Sequence, residues 1–171
     1  MKTMVDQKMI KRFSDGIYYI PRKTIFGDLR LDVDKIISKK YLTNKDEVYG
    51  YIAGITLLNS LSLTTQVPNR ITIVTNKESS RGRKILIGKQ EVYITKSRIE
   101  VTRENYPVLQ LLEIIRLIVP EELDEIESNN LLNFIINNAI TLKKVSQYCV
   151  YYPDYVSKRI LGGKLIEILT R

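Results

Sequence analysis

The chain has 171 residues, of which 44% are hydrophobic, so it holds material for a real core and lies outside the disordered class. Its formal charge of +8, from 27 Lys and Arg against 19 Asp and Glu, points to a polyanionic partner. The absence of histidine excludes Ser-His-Asp and Cys-His nucleophilic pairs and most zinc and non-haem iron sites.

The opening Met-Lys-Thr-Met-Val-Asp-Gln-Lys has no apolar stretch of signal-peptide length, and no later apolar run is long enough for a bilayer. A cytoplasmic location without membrane contact is expected. Residues 9–20 read as two short strands around the turn Ser14-Asp15-Gly16, because Gly accepts the positive φ of a tight hairpin. Ile10, Phe13, Ile17, Tyr19 and Ile20 are expected to face inward. Lys8, Lys11, Arg12, Arg22 and Lys23 make this ribbon basic, as in the wing of a winged helix. These cations suit DNA phosphates, which position a protein without reading sequence. The same charges would also keep an exposed edge hairpin soluble. Residues 2–7 leave room for only about two helical turns, so the ribbon is expected to be a winged helix lacking its first helices.

A linker over residues 22–30 leads to a helix over 31–41, where Val33, Ile36, Ile37 and Tyr41 recur at helical spacing. Asp32 and Asp34 suit its N-terminus, and Lys39 and Lys40 its C-terminus. Residues 48–63 predict a largely buried helix with an apolar face of Tyr51, Ile52, Ile55, Leu58, Leu61 and Leu63. Gly50 and Gly54 would admit a close neighbour. Alternation then predicts strands over 71–75, 85–87 and 91–95, the last two joined at Gly88-Lys89 in a small, mostly antiparallel sheet. The intervening residues 79–84 read as a polar, basic loop. Arg70, Arg81, Arg83 and Lys84 form a possible second basic patch, though the spacing matches no phosphate-binding fingerprint.

From residue 104 the pattern is helical. Val108, Leu111, Leu112, Ile115, Ile118 and Val119 mark a helix stopped by Pro120. Glu113 and Arg116, three residues apart, are expected to be a surface ion pair. The acidic residues 121–127 read as a helix-capping run, since they lack EF-hand spacing. Leu131, Leu132, Ile135, Ile136, Ile140 and Leu142 predict a second helix, and residues 155–169 a third with a weak point at Gly162-Gly163. Cys149, the lone cysteine, is expected to be a buried, inert thiol of a reducing compartment. The eleven tyrosines, dense at 148–155, serve either as base-stacking or docking anchors or as plugs at wet core edges.

Three stretches, Ile10-Lys-Arg-Phe-Ser-Asp-Gly-Ile-Tyr-Tyr-Ile-Pro21, Gly50-Tyr-Ile-Ala-Gly-Ile-Thr-Leu-Leu-Asn59 and Leu63-Thr-Thr-Gln-Val-Pro-Asn-Arg-Ile-Thr-Ile-Val-Thr-Asn76, together resemble the AbiE-type antitoxins of bacterial abortive-infection systems. The resemblance covers roughly residues 8–119, and Leu-Thr-Thr-Gln-Val-Pro is its most specific element. It implies a transcriptional regulator of a type IV toxin–antitoxin pair, repressing its own operon and opposing a nucleotidyltransferase-like toxin. Lys11, Arg12 and Gly16 would fall on the wing, and residues 51–66 would open the antitoxin domain. The expectation is therefore an α+β protein with a partial winged helix at 1–23, an α+β domain at 24–103 and a helical part at 104–171. It is expected to bind operator DNA, only weakly as this chain alone, to use no cofactor or metal and to catalyse nothing. The alternatives are a protein-interaction module using the Tyr-rich C-terminal helices, and an enzyme acting on phosphorylated substrates through residues 81–84, for which no acid or base can be nominated.

Overall fold

The computed structural model describes residues 10–14, 17–20, 23–24, 27–28, 32–79, 82–163 and 165–170, and these form an α+β fold. Two short antiparallel ladders come first: Lys11–Ser14 (β1) with Ile17–Tyr19 (β2), and Lys23–Thr24 (β3) with Gly27–Asp28 (β4). The second ladder corrects the linker expected there, because its backbone groups pair with one another. Val33–Ile37 (α1) starts at Asp32, whose carboxylate accepts the Lys35 N–H at 3.2 Å. It continues into a π-helical turn, Ser38–Leu42, and buries Ile37 and Tyr41. A tight hairpin, Thr43–Asn44 (β5) and Glu47–Val48 (β6), comes next. Tyr49 then ties it to the turn, donating its hydroxyl proton to the carbonyls of Lys39 at 2.6 Å and Thr43 at 3.0 Å.

The helix expected over residues 48–63 is a strand in its first half. Gly50–Ala53 (β7) is extended and almost wholly buried, and Gly54–Ser60 (α2) begins only at Gly54, whose φ is +66°. A strand buried on both faces carries the same unbroken apolar run as a buried helix, so the side-chain pattern cannot separate them. The main sheet has the order β7, Ile71–Thr75 (β8), Gln90–Lys96 (β10), Arg83–Ile87 (β9). Its outer pairs are antiparallel, while β8 and β10 run parallel, with Ile73 beside Ile94. The mostly antiparallel sheet is therefore present, with one more strand than expected.

Alternation divides this sheet into two unlike faces. Ile73, Ile87, Val92 and Ile94 pack against Ile37 and Tyr41 of the first helical segment. Tyr51, Ala53 and Val74 point the other way, into a core shared with α2 and with Tyr106–Leu117 (α3). In α3, residues 107–109 and 111–115 are all buried, as befits a helix surrounded by protein. Around it lie Glu125–Asn137 (α4), Leu142–Cys149 (α5), Asp154–Leu161 (α6) and Leu165–Leu169 (α7).

The acidic run caps helices as expected. Asp124 and Glu127 form a reciprocal capping box at the start of α4. The expected second helix is split, because Ala139 adopts φ +46° and Thr141 caps a new helix by accepting the Lys144 N–H. The expected break at Gly162-Gly163 separates α6 from α7. Cys149 is half-buried, not enclosed, with its thiol 3.5 Å from the Ser146 carbonyl. Among the described residues no helix is long and apolar enough to cross a membrane.

Candidate functional site

In the ribbon, β1 and β2 pair Lys11 with Tyr19 and Arg12 with Tyr18, and the register shifts between Arg12 and Ser14. The pair is a ladder of its own, approaching β9 without joining the main sheet. Lys11 and Tyr18 are exposed, and Ile10 and Tyr19 are half-buried. Ile20, expected to face inward, is 73% exposed, because no core element reaches the chain there. Lys8, Arg22 and the turn residues Asp15 and Gly16 lie outside the described residues, as do the side chains of Arg12, Phe13, Ile17 and Lys23.

The residues expected to form a second basic patch divide between the faces of the sheet, Arg83 on one and Lys84 on the other. Arg81 lies outside the described residues, and Arg83 and Lys84 belong to β9, not to a loop. Consecutive strand residues point to opposite faces, so these two cations cannot share a surface. Arg83 turns to the buried Glu78 carboxylate, its Nε 2.6 Å from Oε2, and this hydrogen bond raises the guanidinium pKa above its ordinary value. Lys84 lies beside Tyr93 in the ladder and pairs with Glu91 at 3.6 Å. Arg70 reaches the same Tyr93 from the end of the sheet, its guanidinium 5.3 Å from the centre of the ring.

Arg70 and Tyr93 instead open a cleft that the sequence pattern did not identify. On the sheet face carrying Tyr51, Val74 and Tyr93, α3 covers the β7 side and leaves Thr72, Tyr93 and Thr95 only half-buried. The space between them and α3 forms two cavities of about 500 and 620 Å³. Gly54, Thr72, Tyr93 and Arg116 line both, so the cavities adjoin. One end is bounded by Lys96, Ser97 and Arg98, and the other by residues 66–70, which include the Gln-Val-Pro of the resemblance element. That rim is positioned by side chains of α2. Asn59 donates to the Gln66 carbonyl at 3.1 Å, and the Thr56 hydroxyl to that of Arg70 at 3.1 Å.

Glu113 and Arg116, expected at the surface, form the wall of this cleft. Glu113 is 6% exposed and holds Arg116 through its carboxylate, with N–O distances of 2.8 and 2.9 Å. Burial disfavours the Arg116 charge, yet the Glu113 carboxylate outweighs it and the guanidinium pKa rises. Behind the wall, Tyr51 shares the core with Tyr152, whose hydroxyl donates to the Leu109 carbonyl at 3.3 Å. Burial first, then neighbouring Tyr152 and Glu113, push the Tyr51 pKa well above its ordinary value. Burial and Glu113 do the same for Tyr152. Arg98 lies over the Tyr152 ring at 5.3 Å and donates to the Tyr151 carbonyl at 3.4 Å. The Ser97 hydroxyl is buried with no hydrogen-bond partner among the described residues. The alternation in Val92-Tyr93-Ile94-Thr95 does place Tyr93 and Thr95 together on the less apolar face, which is the part of this site a sequence can reveal.

Among the described residues no grouping of His, Cys, Asp and Glu has the arrangement to hold a metal ion. No curated protein matches the chain. A family model does match, over residues 1–148, taking in the ribbon, the whole sheet, the cleft and the helices through most of α5. The chain therefore belongs to DUF6088, a family of unknown function.

Proposed function

We propose that this protein is an antitoxin-like transcriptional regulator of the AbiE type, repressing its own operon and opposing a nucleotidyltransferase-like toxin. The observation that carries the reading is the ribbon: a two-stranded ladder that approaches β9 without joining the main sheet, with Lys11 exposed on it, in a chain of formal charge +8. The exposed side of such a strand pair can lie along a phosphate backbone. Support also comes from the Gln66-Val67-Pro68 element at the rim of the sheet cleft, where Val67 is 83% exposed. The reading assigns no catalytic residue.

Fluorescence anisotropy with DNA from the region upstream of the gene tests it. Binding should weaken steeply as salt rises, and Lys11→Gln should lower affinity and reduce the slope of log K against log salt by about 1. Absence of salt-sensitive binding even at low ionic strength would remove the repressor half. A second reading, a protein-docking module without DNA affinity, is favoured by the exposure of Val150 and Tyr151 in the turn after α5 and of Tyr155 and Leu161 on α6. Co-purification with a neighbouring gene product, combined with failure of the anisotropy test, would select it.

A further inference from the structure

We propose that the cleft between α3 and the sheet is a nucleoside-phosphate site, with the phosphate at the Ser97-Arg98 end and the flat ring at the Tyr93-Arg70 end. The two faces of the sheet make the first part of the case. One is sealed by apolar packing against Ile37 and Tyr41, whereas the other leaves Thr72, Tyr93 and Thr95 beneath open space of small-molecule size.

Charge makes the second part. Arg70, Arg98 and Arg116 line the cleft against two carboxylates, Glu91 and Glu113, whereas Lys96, in register with Ile94 along β10, projects from the opposite face. Glu113 is engaged by Arg116 and Glu91 by Lys84, so neither carboxylate is paired with Arg98. A cleft with low-dielectric walls and an excess of one charge concentrates the opposite ion. Next to Arg98 in the chain, the Ser97 hydroxyl is buried and unpartnered among the described residues. Buried hydroxyls nearly always have a hydrogen-bond partner, and an incoming phosphate oxygen would supply one.

The ring end makes the third part. Tyr93 presents an aromatic face already taken up by a guanidinium at 5.3 Å, and Arg planes and Tyr rings both stack on nucleobases. Because the two cavities share Tyr93 and Thr72, one ligand can reach both ends. An anion with no ring would leave the Tyr93 end unused, and a neutral ring would leave the cations unmatched. The site uses no residue of the ribbon and stands independently of operator binding.

Calorimetric titration of the full chain with AMP, ATP, ribose 5-phosphate and inorganic phosphate tests the assignment, with thermal unfolding in parallel. AMP and ATP should bind saturably and raise Tm, while ribose 5-phosphate and inorganic phosphate should bind about tenfold or more weakly. Arg98→Gln and Tyr93→Leu should each lower nucleotide affinity by about tenfold. Lys143→Gln, a surface change outside the cleft, should bind normally. If Tyr93→Leu fails to fold, Arg70→Gln carries the ring arm. No saturable nucleotide binding at millimolar concentration would overturn the proposal. So would inorganic phosphate binding as tightly as AMP, affinity indifferent to both Arg98→Gln and the ring variants, or binding of oligonucleotides alone.

Discussion

Gly50 stands where three backbones converge: a Cβ on it would collide with the Tyr41 carbonyl oxygen, come within 2.8 Å of the Val74 carbonyl oxygen and 2.9 Å of the Thr75 Cβ. Its pairing with Thr75 at the ladder's end, and the Tyr49 carbonyl accepting from Asn76 N–H and the Thr75 hydroxyl, leave no route for relaxation. Gly50→Ala should therefore destabilise the chain by about 2–3 kcal/mol, read as a lower urea midpoint with an unchanged slope. At the same scale, Tyr51 and Tyr152 link the core to alkaline pH. Their folded pKa values lie above the ordinary 10.0, so only the unfolded chain releases these protons in that range. The stability tied to their neutral forms is complete below pH 10 and is lost as pH rises toward the folded values. Tm should fall progressively above about pH 10, and Tyr51→Phe should make that fall shallower. The sequence shows these tyrosines but not their pairing, since residues 101 positions apart meet only when the fold is complete.

The elements were legible to the degree that their causes are local. The β9–β10 hairpin arises from Gly88, which takes φ +63°, and α3 ends where Pro120 forbids its continuation. β7 was not legible, because the apolar run Tyr-Ile-Ala satisfies strand and helix alike until Gly54 breaks it. The capping of α3 at its C-terminus is equally non-local. Its last carbonyls have no partner within the helix, and Arg159 of α6 supplies one, donating to Ile115 at 2.8 Å and Ile118 at 2.9 Å. Tyr155, its ring 4.9 Å from the same guanidinium, donates to the Arg116 carbonyl at 3.3 Å. Arg159→Ala should cost about 2 kcal/mol in urea denaturation, because charged hydrogen bonds to a half-buried helix end are lost together. Arg159→Lys should recover only part, since an ammonium lacks the planar fork.

Across the whole molecule, one core runs from Tyr51 on the sheet to Leu169 in the last helix. The change of pattern at residue 103 thus marks a change of secondary structure, not a break in packing. Asn76 bridges the change by donating to the Val101 carbonyl and accepting the Val101 N–H, both at 2.8 Å. Sheet and helices should accordingly unfold in one transition, with far-ultraviolet circular dichroism and tyrosine fluorescence giving the same urea midpoint. Two separated midpoints would show that the helical part holds together without the sheet.

Composition, turn residues and short-range periodicity were enough to establish the α+β class, the basic ribbon, the three predicted strands and the capped, Pro-stopped helices, because each depends on residues a few positions apart. Tertiary structure alone decided the parallel union of β8 with β10, the burial of Glu113 against Arg116, the separation of Arg83 from Lys84, and the cleft over Tyr93. Those features depend on which surfaces the chain brings together over tens of residues, and neither strand alternation nor helical period carries that information.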